Sequence, residues 1–136
     1  MGEIRTLAVR QPWATYIAEG TKTVEVRTWA TRHRGPVLIV ASGRPLRHAD
    51  EAGAVWVLPA RVQVCTVELV EVRPMVPADE ALAHVPCVPG AFAWVVERPR
   101  MVRPAPHRGR LGLYRTPSAG VHVLTDGEHY LDCMGV

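Results

Sequence analysis

Along most of this chain, apolar and polar positions alternate with the two-residue rhythm of half-buried strands, and only short stretches carry helical spacing. Arg5–Val9 reads as a first strand. Trp13, Tyr16 and Ile17 then fall at i, i+3 and i+4, behind Pro12 and ahead of Gly20, which predicts a helix over 12–19. From Lys22 to Trp29 the residues are β-branched, aromatic or charged and read as a second strand, with Val24 and Val26 on one face. Thr23, Glu25, Arg27 and Trp29 share the other face. The valines face a core, so the charges face something else.

After a basic turn, Pro36–Ser42 (PVLIVAS) is nearly all apolar and predicts a strand buried on both faces. Gly43-Arg44-Pro45 breaks it, and His48–Val55 is expected to form a short helix with Ala49, Ala52 and Trp56 inward. Ala60–Arg73 is the longest strand-like run. Val62 and Val64 share one parity and Val67 and Leu69 the other, so a bulge or bend is expected near Cys65-Thr66, as a strand wrapping a small barrel requires. Four prolines bracket Ala78–His84, a short helix whose Asp79 and Glu80 suit the positive end of its dipole. Phe92–Glu97 is a strand. Pro99, Pro104 and Pro106 then predict an edge or an extended loop. Gly109–Arg115 offers a last barrel strand with Leu111 and Leu113 on one face, and Asp126-Gly127 predicts a hairpin turn between 121–125 and 128–133. The expected class is mainly β with short helices (α+β). The division is a domain over 1–118 and a C-terminal extension, a β-hairpin, over 119–136.

The 136 residues suffice for one domain with a real core, and nearly half are apolar. No apolar run approaches the ~20 residues of a membrane span, and no secretory h-region follows the start, so a soluble cytoplasmic protein without a membrane partner is expected. Cys65, Cys87 and Cys133 are odd in number and widely spaced, which points to free thiols in a reducing compartment. The six histidines lack metal-ligand spacing, so neither a metal nor a cofactor is expected. Charge changes the picture more. The net formal charge is only +3, yet no acidic residue lies between Glu25 and Asp50, nor between Glu97 and Asp126, while both segments are rich in arginine. If folding brings them together they make one positive face; otherwise they are a solvated surface.

Fifteen of the sixteen basic residues are arginine, and Lys22 is the only lysine. An ammonium differs from a guanidinium in that burial moves its pKa into the working range. Gly20-x-Lys22-x-x-Glu25-x-Arg27, preceded by Gln11-Pro12-Trp13-Ala14 and followed by Trp29, resembles the signature of the ASCH (activating signal cointegrator homology) domain family. Arg34-Gly35 before the strand ending Ala41-Ser42, and Phe92-Ala93-Trp94, add weaker matches, so that the likeness covers most of 4–115. It implies a PUA-like fold, a small β-barrel with helices packed on it. It also implies a cleft at the Lys22, Glu25 and Arg27 positions, with RNA, another nucleic acid or a nucleoside-like molecule as partner.

In a regular strand Lys22 points away from Glu25 and Arg27, so the three converge only if the backbone is irregular at Gly20-Thr21. A purely structural ion pair is then one reading. Binding is the other, with Lys22, Arg27 and Arg34 meeting phosphate, Trp13 or Trp29 stacking on a base, and Gln11, Glu25 and Ser42 completing the contacts. Core packing is the alternative role for Trp13. One branch of the resembled family consists of amidohydrolases acting on acetylcytidine. Their motif lysine is followed three positions later by a hydroxyl residue, where this chain has Glu25. An enzyme here would use Glu25 as general base on water and Lys22 to stabilise the oxyanion. Oligomeric state is left open by the sequence.

Overall fold

A computed structural model of the protein describes residues 2–125. Its frame is one curled six-stranded sheet, a half-barrel with short helices. In chain order the strands are β1 (Glu3–Arg10), β2 (Val24–Arg27), β3 (Gly35–Ser42), β4 (Leu46–Ala49), β5 (Val55–Leu58), β6 (Val62–Pro74), β7 (Phe92–Met101) and β8 (Leu113–Pro117). Helix α1 spans Trp13–Glu19 and α2 spans Glu80–Ala83, the latter preceded by a 3-10 turn over Pro77–Asp79. The main sheet runs β2-β7-β6-β3-β1-β8, with β4 and β5 forming a separate ribbon. Only β1 and β3 pair in parallel; the other neighbours are antiparallel.

Each face of β3 is buried, as its unbroken apolar run predicts. Val37, Ile39 and Ala41 pack into the main core with Leu7, Val9, Ile17 and Trp94. Leu38 and Val40 pack against Val102 on the reverse. A third cluster joins Val24, Met75, Ala83 and Ala93 and seats α2 on the β2 end of the sheet. The expected irregularity in β6 is present. Against β3 the register slips between Ile39 and Val40, leaving Val64 as the extra residue, and against β7 it slips twice more. Each slip adds local twist, which is how a thirteen-residue strand follows the curl.

The α1 helix starts as the sequence suggests, one residue later than Pro12, and stops at Gly20, whose φ of 84° lets its N–H reach the Ile17 carbonyl. β2 does not begin until Val24, and the backbone N–H of Lys22 still bonds to Tyr16 O at 3.1 Å.

Two expectations are corrected. The 48–55 segment is not a helix but the end of β4, a turn and the start of β5. Asp50 Oδ1 accepts from the N–H of Ala54 at 2.9 Å, and Gly53 has a φ of 85°, so the turn chemistry overrides the helical spacing of Ala49 and Ala52. The edge expected around Pro99 is present, since β7 runs on to Met101 paired with β6 but beyond the reach of β2, with Arg98 at a φ of 51° absorbing the irregularity. Leu111 does not share a buried face with Leu113, since it is wholly exposed in the loop before β8. The hairpin expected around Asp126-Gly127 lies outside the described residues. As far as Thr125 the chain stays on the barrel, with Leu124 N–H bonded to Met101 O at 2.9 Å.

Candidate functional site

Because β2 starts late, the side chain of Lys22 is free of strand parity and turns to the same side as Glu25. Its ammonium is 1 % exposed and sits 3.4 Å from Glu25 Oε1. It also donates to the carbonyl oxygens of Val24, at 2.8 Å, and Ala83. Three oxygens thus meet the three N–H bonds of an ammonium, which is what a buried charge requires. Burial holds the Lys22 pKa below its ordinary value, while the Glu25 carboxylate pushes it the other way.

Glu25 Oε2 in turn accepts from Arg27 Nη2 at 2.8 Å, and the same nitrogen donates to Ala8 O at 2.7 Å. This last bond joins edge strand β2 to β1, its fourth neighbour along the sheet, and so spans the mouth of the curl. Among the described residues, Arg27 Nε is buried without a hydrogen-bond partner. An orphaned donor costs about 1–3 kcal/mol, and other parts of the Arg27 side chain line a cavity.

That cavity has a volume of about 710 Å³. Lys22, Glu25 and Arg27 lie along it with Trp13, Trp29 and Ser42. Trp13 also packs against the main core, the alternative expected for it, while lining the cavity. Trp29 meets Trp94 edge-on at 4.8 Å, and its carbonyl accepts the Trp94 indole N–H at 3.1 Å, which fixes the backbone that presents it. Two residues singled out by the sequence lie elsewhere. Gln11 is buried and fully engaged, accepting from Thr15 N–H and Oγ1 and donating to Pro59 O, so it anchors the start of α1. Arg34 is exposed and donates to Thr31 O and His33 O in its own turn.

Four further arginines line the cavity, Arg10, Arg61, Arg108 and Arg110. Among the described residues, these four with Lys22 and Arg27 oppose a single carboxylate, Glu25. Arg108 and Arg110 belong to the second acid-free segment and Arg27 to the first, so folding does bring parts of the two together; Arg10 and Arg61 carried no signal in the sequence. The 104–112 loop bearing Arg108 and Arg110 is clasped to the barrel. His107 N–H donates to Arg61 O at 2.8 Å, Gln63 N–H donates to Ala105 O at 2.9 Å, and His107 Nε2 lies 2.9 Å from Tyr114 Oη. Gly109 is pressed so close to the sheet that a Cβ there would fall 3.0 Å from Ala8 Cβ. Glycine lets this strap approach the sheet at the cavity rim without a shift of its neighbours.

The ASCH domain family model matches residues 7–117. The chain belongs to the ASCH domain family. This family is associated with RNA binding. A segment of 38 residues is 47 % identical to activating signal cointegrator 1 of mouse, and equally to that of human. The aligned segment is 28 % of this chain and 6 % of either relative's length, so the likeness is to a small part of those proteins. Among the described residues, no helix is long and apolar enough to cross a membrane, and no three His, Cys, Asp or Glu side chains gather as a metal site would need. Burial pushes the Cys65 thiol up to about 12, which makes it inert.

Proposed function

We propose that this ASCH domain binds single-stranded RNA, taking one or two nucleotides into the cavity above Glu25. The observation that carries this reading is the make-up of the wall: among the described residues, six cations around one carboxylate, with two tryptophans beside them. Phosphate oxygens suit the exposed arginines, a base face suits Trp13 or Trp29, and Glu25 accepts from a base N–H donor. Arg27, whose side chain is partly exposed on the cavity wall, brings its charge to a ligand oxygen. Lys22 sits beneath, holding Glu25 rather than touching the ligand.

The amidohydrolase alternative asks Lys22 to stabilise an oxyanion. Its ammonium already faces Val24 O, Ala83 O and Glu25, so binding is favoured over catalysis. The test is fluorescence anisotropy with a labelled single-stranded RNA at low salt. Binding to the wild type that falls at least tenfold in Arg27→Ala supports the reading. RNA bound equally by both proteins, or by neither, would reject it.

A further inference from the structure

The β4–β5 ribbon has no part in the three core clusters, and its only extensive contacts are between its own two strands. A lone two-stranded ribbon is marginal in water, yet this one spends apolar side chains on solvent. Val55, Trp56 and Val57 are each about half exposed, at 52 %, 48 % and 53 %. The pairing puts His48 opposite Trp56 and Arg47 opposite Val57, so both faces of the ribbon carry an apolar and a basic or imidazole side chain. His48 lies 5.8 Å from the Trp56 ring at 32°, a loose pairing that does not enclose the indole.

The ribbon's position is as informative as its composition. Its two feet are Gly43 and Arg61, and both line the cavity. Arg61 N–H bonds to Ala41 O at 2.7 Å and closes the base. Arg44 and Arg47 are exposed near this base. The ribbon's carboxylates, Asp50 and Glu51, lie at the far turn, where Asp50 is engaged with Ala54 N–H. Basic charge is therefore greatest where a polymer leaving the cavity first meets the ribbon. From that point four residues of strand carry it ~13 Å outward.

We infer that the β4–β5 ribbon is a stacking arm for the RNA nucleotides that flank those in the cavity, with Trp56 on one face as the platform, Arg44 at the base, and Arg47 reaching the backbone from the opposite face. Exposed aromatics beside a positively charged track are how single strands are held without sequence readout. A protein or a second copy of the chain would also cover apolar side chains. Continuity with the cavity and the basic base of the ribbon favour the polyanion. The inference rests on the cavity being an RNA site, so its test separates the two.

The probes are a labelled single-stranded RNA of about ten nucleotides, long enough to span a stacking surface of this kind, and a trinucleotide. The proteins are the wild type, Trp56→Ala, the double variant Arg44→Glu/Arg47→Glu and, as a reference, Arg27→Ala. The ribbon lies outside the core, so thermal unfolding of the first two variants should match the wild type. Stacking of one base predicts that Trp56→Ala weakens the longer RNA by about five- to a hundredfold and leaves the trinucleotide within about twofold. Loss of the longer RNA in the Arg44→Glu/Arg47→Glu variant gives the same support. If Arg27→Ala loses both probes while Trp56→Ala binds the longer RNA as the wild type does, the stacking arm is refuted and the cavity reading stands. If the wild type binds neither probe, both are refuted. Concentration-dependent self-association abolished by Trp56→Ala, with RNA affinity unchanged, would refute the arm in favour of a contact between copies.

Discussion

The ammonium of Lys22 donates to the carbonyl oxygen of Ala83, the last residue of α2, and so ties that helix to the floor of the cavity. The same nitrogen holds Glu25, and the arrangement explains why this position carries the chain's only lysine. A guanidinium is planar and larger, and its donors do not converge on three oxygens around one nitrogen.

Lys22→Met should therefore act on stability before it acts on binding. It leaves the Val24 and Ala83 carbonyls without their buried donor and Glu25 with Arg27 alone. The expected loss is about 2–3 kcal/mol in urea unfolding, and Lys22→Arg should also be less stable because the site is already full. A Lys22→Met protein as stable as the wild type would show that the ammonium is not the fastening described.

Below the site, Arg73 grips Asp79 through two hydrogen bonds of 2.7 and 2.8 Å, and the Val76 N–H adds a third at 2.9 Å. The Arg73 and Val76 bonds hold the Asp79 carboxyl down at about 2. A depressed carboxylate stabilises the fold above its unfolded pKa of ~3.9, and that stability is lost as pH falls through the folded value. Because the Arg73 side chain is one-third exposed, solvent screening reduces the contribution to about 1 kcal/mol. Asp79→Asn should cost that much at pH 6 and much less at pH 2. Parallel acid-unfolding curves for the two proteins would contradict it.

His107, in the 104–112 strap, is a second group whose stabilisation is lost as pH falls, but in a higher window. Burial, and then the charge of Arg110, hold its pKa below the ordinary value, so the proton is better bound by the unfolded chain. Stability should thus decline as pH falls below ~6.5 and level off once pH lies under the folded pKa. Unfolding midpoints between pH 8 and 5 should fall more steeply for the wild type than for His107→Gln, which keeps an amide near Tyr114. Removing the positive neighbour in Arg110→Ala should soften the dependence. Equal slopes for all three proteins would exclude His107 as the titrating group.

How far the site could be read in advance depends on what kind of information placed each residue. Local signals sufficed for the α1 boundaries, for β3 and for the bend in β6, because each depends on residues a few positions apart. They also indicated that Lys22 meets Glu25 only if the backbone is irregular after Gly20, and the late start of β2 is that irregularity. The ribbon was misread because Ala49 and Ala52 have helical spacing, whereas the Asp50–Gly53 turn that decides the matter has a sequence signal of its own. Gln11 and Arg34 satisfy the motif but spend their hydrogen bonds locally, a fact only side-chain geometry reveals. Arg10, Arg61, Arg108 and Arg110 meet because β1 pairs with β3 and the strap crosses their ends, and such long-range pairing has no local trace.

The strap gives the sharpest test of whether those arginines act on a polyanion. Each phosphate neutralised on a single strand contributes about −0.7 to the slope of log affinity against log salt. Arg108→Ala/Arg110→Ala should therefore reduce the slope by about 1.4, besides weakening RNA binding at low salt. Gly109→Ala leaves every charge in place but puts a Cβ 3.0 Å from that of Ala8, so the strap must shift relative to the sheet by a few tenths of an ångström. If the arginines work only when the strap lies flat, this substitution flattens the salt dependence nearly as much as removing both charges. If the strap merely raises the general positive potential, Gly109→Ala leaves the slope unchanged while the double variant lowers it, and the two outcomes separate contact from background field.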